Sequence, residues 1–288
     1  MTLGNSKGAI FITGASGGIG SACVRKFTEM GYLVFAGVRN KEKGIQLKKA
    51  ISTAVVPIEI DITIPSSVQA AAKEVEKFLG NEGIVGLINN AGYIVQGPLE
   101  LLSPEEIKHQ FDVNVFGQIT VTQAFLPLLR KVSGRIINVG AVTGKTTIPF
   151  LGAISASKHA MESITDAFRV ELKPWNIHVS LIEPAAIQTE IFQKSTVDFN
   201  HSLKQVPAEK RSLYEKALEA IHSSMANQNA SPIHVVVEAI VHAMTATKPH
   251  TRYAVGRGAG MFVALRLLPD KLRDKLISSS LRLNKTLN

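Results

Sequence analysis

The clearest chemistry in this chain of 288 residues lies in the octapeptide Thr13-Gly14-Ala15-Ser16-Gly17-Gly18-Ile19-Gly20. It follows an apolar run at 8–12 and leads into the periodic segment Ile19, Ala22, Cys23, Lys26, Phe27, Met30. Strand, tight turn and helix start in that order aim free backbone N–H groups and the positive helix end at an anion. Glycines serve there because a Cβ would hold a phosphate off the backbone or clash where helix meets strand. A second apolar run, Leu33-Val34-Phe35-Ala36-Gly37, follows, so the expected anion is the pyrophosphate of a dinucleotide, held at Gly14, Ser16, Gly18, Ile19 and Gly20. That run ends at Val38-Arg39-Asn40, where a site for NAD(H) would present an acid to the ribose 2′-hydroxyl. Arg39 instead offers paired, charge-assisted hydrogen bonds to a 2′-phosphate, which favours NADP(H) over NAD(H). The competing reading makes Arg39 an ordinary solvated residue at a strand end.

These residues need a scaffold, and the periodicity supplies one. Apolar runs predict strands near 9–13, 32–37, 55–60, 84–88, 133–139, 177–182 and 252–255, with helices between them. Alternation of this kind implies α/β architecture: a single doubly wound Rossmann-type domain whose parallel seven-stranded sheet carries helices on both faces. Ser103-Pro104-Glu105-Glu106 reads as a capped helix start, with a helix expected to carry Phe111, Val115 and Ile119 inward and to continue towards Leu129. Another long helix is expected over about 152–172; it places Ile154 and Lys158 one turn apart on one face. The stretch 189–231 is polar and weakly patterned, with Tyr214, Leu218 and Ile221 suggesting one helix. No linker, repeat or low-complexity tract divides the chain, so residues 1–288 read as one domain.

Four motifs, taken together, resemble those of the short-chain dehydrogenase/reductase family: the glycine turn, Asn89-Asn90-Ala91-Gly92, Asn114, and Ile154-Ser155-Ala156-Ser157-Lys158. The likeness runs over about residues 8–256. It implies that Asp61 contacts the adenine ring, that Asn89, Ala91 and Gly92 border the cofactor crevice, and that the cofactor-binding segment from Pro184 grips the carboxamide through the backbone at Ile187 and the hydroxyl at Thr189. In that last segment Ala185 stands where the family has Gly, which matters only if the backbone needs a positive φ. The segment at about 189–230 corresponds to the family's substrate lid. In the family a Tyr exchanges a proton with the substrate oxygen, a Lys lowers its pKa and holds the ribose, a Ser polarises the carbonyl, and an Asn holds a relay water. By this likeness Asn114 and Lys158 are kept, while Ala141 stands at the Ser position and Ile154 at the Tyr position. Spacing is unshifted, so these are substitutions. Ser155 and Ser157 are too short and too weakly acidic to stand in for Tyr. Tyr93 is the candidate replacement acid, with an apolar wall as its alternative role; His159, one residue off the Lys158 face, should point into packing.

General acid–base help is worth about 10² to 10⁴ in rate, and an alkoxide forming without a donor is poorly stabilised. Ordinary ketone reduction should therefore be severely impaired. An iminium acceptor escapes the requirement, and an activated alkene can take its proton from water. The leading expectation is accordingly an unusual NADP(H)-dependent oxidoreductase acting on an apolar small molecule. The alternatives are an isomerase or cyclase using the apolar cleft near Tyr93, Val142, Phe150 and Ile154, and a catalytically silent cofactor-binding partner or sensor.

Composition bounds the rest. A hydrophobic content of 45% can fill a large core. The single cysteine, Cys23, excludes an intramolecular disulfide and a Cys-rich zinc site, and no metal is expected. The first seven residues lack a signal peptide's apolar core, and Ala259 to Leu268 is too short to span a bilayer, so a cytoplasmic location is expected. From His250 to Asn288 the chain carries eight Lys or Arg against two Asp, about two-thirds of the net charge of +9. In the extension at about 257–288, Leu265, Leu268, Leu272 and Leu276 follow helical spacing among basic residues, a pattern suited to peripheral contact with an anionic membrane or to closing over the pocket or a subunit. A homodimer or homotetramer is expected. No nucleic-acid motif accompanies the charge.

Overall fold

The computed structural model describes residues 6–226 and 229–283. Seven strands form one parallel sheet: β1 (Ala9–Thr13), β2 (Leu33–Val38), β3 (Val55–Glu59), β4 (Ile84–Asn89), β5 (Arg135–Val139), β6 (His178–Pro184) and β7 (Arg252–Val255). Their order is β3-β2-β1-β4-β5-β6-β7. Chain direction across the sheet reverses between β1 and β4, and such a switch opens a crevice beyond the strands' C-terminal ends. Thr13 and Asn89 end those two strands, which is why the glycine turn and the Asn-Asn-Ala-Gly segment meet there.

Strand alternation sorts the core into two layers. Phe11, Phe35, Leu87 and Ile136 face one side, against α3 (Pro65–Leu79) and α5 (Gly117–Arg130). There the Phe11 and Phe125 rings lie 4.2 Å apart. Ile10, Ile12, Val34, Ile88 and Ile137 face the other side. They pack on α1 (Gly18–Glu29) and, late in the chain, α10 (His234–Thr245), with α2 (Lys41–Ile51) at the margin. Cys23 is buried in this second layer, and burial pushes its thiol up to about 12.

Three expected helices are interrupted. The one starting at Ser103 opens with the expected capping box, since the Ser103 hydroxyl accepts from Glu106 N and the Glu106 carboxylate accepts from Ser103 N. It runs as α4 (Pro104–Phe111), widens into a π-turn over Asp112–Phe116, and resumes as α5. Asn114 sits in that turn, and its side chain bonds a neighbouring loop instead of its own helix. The long helix bearing Ile154 and Lys158 is α6 (Gly152–Glu171), as the pattern requires. Between 189 and 231 the expected single helix is three: α7 (Ile191–Leu203), α8 (Ala208–Ser212) and α9 (Glu215–Ala226). The C-terminal segment forms α11 (Ala259–Leu265) and α12 (Asp270–Ser280) instead of one continuous helix. Pro269 separates them, because it lacks an N–H and disfavours helical geometry at the preceding residue.

Candidate functional site

The glycine turn is fixed by backbone geometry. Gly14 has φ of +62°, and a Cβ there would lie 2.8 Å from Ala91 Cα. At Gly20 a Cβ would lie 2.2 Å from the Gly14 carbonyl oxygen. Only glycine fits at either place. Ser16, Gly17 and Gly18 are exposed, and Gly17 caps α1 without a side-chain bond. The first helical hydrogen bond runs from Ser21 N to Gly17 O, so the N–H groups of Gly18, Ile19 and Gly20 precede it and have no acceptor inside the helix. No acid lies in the first turn of α1. This cradle, which a Cβ would fill, fits a dinucleotide pyrophosphate.

The walls of the crevice are tied to the turn. The Thr13 hydroxyl accepts from Asn90 N and Ala91 N, each at 3.0 Å, while Asn90 Nδ2 donates to Thr13 O at 3.0 Å. Ala91 O accepts from Gln118 Nε2 at 3.1 Å, so both polar backbone groups of Ala91 are used internally. Asn89 turns its side chain into the core, donating to Thr122 Oγ1 and Asn138 Oδ1, each at 2.9 Å. As a cofactor contact it therefore has only its backbone to offer. Gly92 is exposed. On the far side, Thr189 lies over the start of α1, with Cγ2 3.0 Å from where a Gly18 Cβ would stand. Ile187 is buried and bridges to Ser231, and Ala185 N donates to Val255 O at 2.9 Å. Ala185 is absent from the positive-φ residues, so alanine carries no backbone strain there.

Arg39 is exposed at the end of β2, and the next residue, Asn40, caps α2 by accepting from Lys43 N at 3.0 Å. Burial pulls the Asp61 carboxyl up. Hydrogen bonds from the Thr63 hydroxyl and N–H, with the positive field of Arg39 and a smaller one from His109, outweigh it and hold the group below its ordinary value. Asp61 is thus an anion at neutral pH.

Towards β5 and α6 the site is built from side chains. Asn114 is fully buried; its Oδ1 accepts from Tyr93 N at 2.9 Å and its Nδ2 donates to Tyr93 O at 3.0 Å and Ser157 Oγ at 3.2 Å. Lys158 is only 7% exposed, and its Nζ donates to Val139 O at 2.7 Å. Burial pulls its ammonium down to about 8. Ala141 is partly exposed just after β5. Ile154, 6% exposed, packs with Ile94 and Leu151, and Ile191 and Phe192 from the start of α7 close over this cluster.

One expectation, for His159, changes here, and Tyr93 is placed among neighbours. Tyr93 and Val95 share a cluster with Ala153 and Phe199, whereas Ile94 between them joins Ile154. Tyr93 thus packs in a different apolar cluster from position 154. Its ring meets His109 edge-on at 4.9 Å, and burial, then the Asp198 and Glu106 carboxylates, push its phenol above the ordinary value. His159 is exposed instead of packed, with Nδ1 2.9 Å from Ser155 O on its own helix.

The segment 189–231, expected to be a lid, is fastened over this region. Gln96 Nε2 donates to Thr196 Oγ1 at 2.7 Å, Ser202 Oγ to Glu106 Oε1 at 2.6 Å, and the Tyr214 hydroxyl to Glu100 Oε2 at 2.8 Å. A Cβ at Gly97, whose φ is +137°, would lie 2.3 Å from the Phe199 ring.

A buried ion network, only faintly signalled by the residue pattern, completes this side. Lys145, four residues beyond Ala141, pairs with Glu162 and, at 3.2 Å, with Glu183. Arg252 joins from β7, 3.0 Å from Glu162 and 2.7 Å from Asp166. Burial, and then the neighbouring Glu162 carboxylate, push Glu183 up to about 7 against the pull of Lys145. The network ties the 141–145 turn, α6, β6 and β7 together. Its visible signals were Glu162, one turn past Lys158, and Glu183 at the end of an apolar strand.

Known proteins resemble this arrangement over most of its length. A family model described as short chain dehydrogenase matches residues 8–199. The NADPH-dependent 3-dehydrocapnine reductase of Ornithobacterium rhinotracheale is 35% identical over 277 residues, 94% of this chain and 96% of that protein. The 3-amino-tetrahydro-pyrrolizinone reductase of Xenorhabdus hominickii is 36% identical over 257 residues, covering 88% of each chain. Among solved structures, a short chain dehydrogenase from Burkholderia cenocepacia J2315 in complex with NADP matches with a TM-score of 0.72 at 28% identity, covering 98% of this chain and 99% of that one.

Proposed function

This chain belongs to the short-chain dehydrogenase family, and from that premise we propose that it is an NADP(H)-dependent oxidoreductase acting on apolar acceptors that need little or no acid catalysis. The observation that carries the reading is a contrast within one site: the glycine cradle and Lys158 are intact, while the floor at 154 is hydrocarbon. A bound nicotinamide would supply or take a hydride. The chain's own residues then have limited tasks. Gly18, Ile19 and Gly20 offer backbone donors to the pyrophosphate, Arg39 offers a cation to a 2′-phosphate, and Lys158 holds a proton in a dry setting near β5. Ile94, Leu151 and Ile154, covered by Ile191 and Phe192, exclude water and favour a ligand with a hydrocarbon body. Neither Ala141 nor Ile154 can donate a proton to a developing alkoxide, so an iminium or an activated alkene suits the site better than a ketone. Preference for NADP(H) is supported by Arg39, by the name of the Ornithobacterium relative and by the NADP complex of the Burkholderia structure.

The test rebuilds the missing pair. Ala141→Ser with Ile154→Tyr should raise NADPH-dependent reduction of apolar ketones or aldehydes by about 10² to 10⁴ over the parent. The parent should be nearly inactive on those carbonyls yet reduce a preformed iminium. Ile154 is buried in a packed apolar cluster, so the larger Tyr should also cost the double variant about 1–3 kcal/mol of stability. Steady-state rates of both proteins on both substrates decide the matter: robust ketone reduction by the parent overturns the reading.

A further inference from the structure

Among the described residues no helix is long and apolar enough to cross a membrane. The C-terminal segment nevertheless exposes more large apolar side chains than it buries. Leu267, in the turn between α11 and α12, is 84% exposed, Met261 60%, and Leu272 and Leu276, one turn apart on α12, are each 46% exposed. Ile277 and Leu283 are the large apolar residues it buries. Arg257, Arg266, Lys271, Lys275 and Arg282 stand exposed among them. Arg273 is bonded to Asp270 at 2.8 Å, but those five form no ion pair among the described residues. Exposed hydrocarbon interleaved with unpaired cations is poorly matched to water, and it complements a surface presenting anionic headgroups above an apolar interior.

Its position gives this surface a purpose. Leu281 and Leu283 pack with Ala217 and Ile221 of α9 and with Phe150, so the segment is joined to the lid. Phe262 O accepts from Thr146 Oγ1 at 2.8 Å, which fastens α11 to the stretch between Ala141 and Ile154. Leu213, 66% exposed, precedes Tyr214, whose ring packs on Phe150. The unsatisfied apolar surface therefore borders the lid of an apolar cleft. We infer that the face formed by α11, the Leu267 turn and α12 docks peripherally on an anionic lipid bilayer, holding the lid side of the cleft at the membrane surface. Charge complementarity selects this occupant over a second copy of the chain, because two such faces would bring Arg266, Lys271 and Lys275 against their own kind. The inference does not depend on which reaction the site performs.

Co-sedimentation of the full chain with vesicles tests it. Vesicles containing about 30% phosphatidylserine should bind the protein, and those of phosphatidylcholine alone should bind it at least about tenfold more weakly. Lys271→Glu with Lys275→Glu should weaken binding to anionic vesicles at least about tenfold. Leu267→Asp, at a side chain almost wholly in solvent, should weaken it comparably while leaving the circular dichroism spectrum and cofactor titration of the parent unchanged. Raising salt from about 0.1 M to 1 M shortens screening from about 10 Å to 3 Å and should release much of the bound protein. No binding, equal binding to both vesicle types, or binding untouched by these variants overturns the inference. So does a dimer in the absence of lipid that Leu267→Asp dissociates, which would make a second copy the occupant.

Discussion

The two sides of the crevice do comparable work with different materials. On the β1–β2 side the site consists of backbone: N–H groups at a helix start, a carbonyl 2.2 Å from where a Cβ at Gly20 would stand, and a threonine hydroxyl holding two further N–H groups. On the β5–α6 side it consists of side chains, held by Asn114, Lys158 and a buried ion network. A function made of backbone cannot be altered without altering the fold. One made of side chains can change at single positions, such as 141 and 154, while the helix and its register stay as they are. In this chain both of those positions carry apolar residues, Ala141 and Ile154.

The sharpest way to break this comparison is at the cradle. Gly20→Ala forces its Cβ against Gly14 O and should abolish measurable cofactor binding, a loss beyond about 100-fold, in a titration of NADPH fluorescence. Ordinary binding by the variant would mean that the cradle is not the site. On the opposite side, Lys145→Met strips a cation from Glu162 and Glu183 and should cost about 3–5 kcal/mol in urea unfolding at pH 8. The loss should be smaller at pH 5, where Glu183 takes up a proton. Equal loss at both pH values would argue against the network as described.

A smaller effect probes the rim of the cradle. Arg39→Ala should weaken NADPH by about 10- to 100-fold, the worth of a charge-assisted contact, and leave NADH unchanged. Equal affinity of the parent for both cofactors would remove the argument.

The smallest effects are in pH dependence, and their signs differ. Glu183 binds its proton more tightly folded (about 7) than its ordinary 4.5, so its contribution to stability is full below about 4.5 and is lost as pH rises to about 7. Lys158 holds its proton less tightly folded (about 8) than its ordinary 10.5, so stability should rise again between those values. Melting temperatures measured across pH should lose the first slope in Glu183→Gln and the second in Lys158→Met. Slopes unchanged by these substitutions would show that other groups produce them.

Much of this was legible in the residues themselves. The glycine turn, the seven apolar runs, the capping box at Ser103 and the one-turn spacing of 154 and 158 each obey short-range rules of sterics and periodicity, and each stands in the structure within a residue or two of where the pattern puts it. The apolar identity of position 154 is likewise a fact of sequence. Other features depend on contacts between distant parts of the chain. Asn114, in the π-turn that interrupts a helix, bonds Tyr93, 21 residues away. Tyr93 is assigned to one wall and Ile94 to the other by what Ala153, Phe199 and Ile154 present to them. Arg252 meets Glu162 across 90 residues, and Thr196 meets Gln96 across 100. Local patterns register a neighbour within one helical turn or one strand pair, so the sequence alone determined the fold, the glycine turn and the apolar identity of positions 141 and 154. Only the tertiary structure, which brings β5, β6, β7 and the 189–231 segment together, decided which charges are buried in company and which apolar cluster Tyr93 joins.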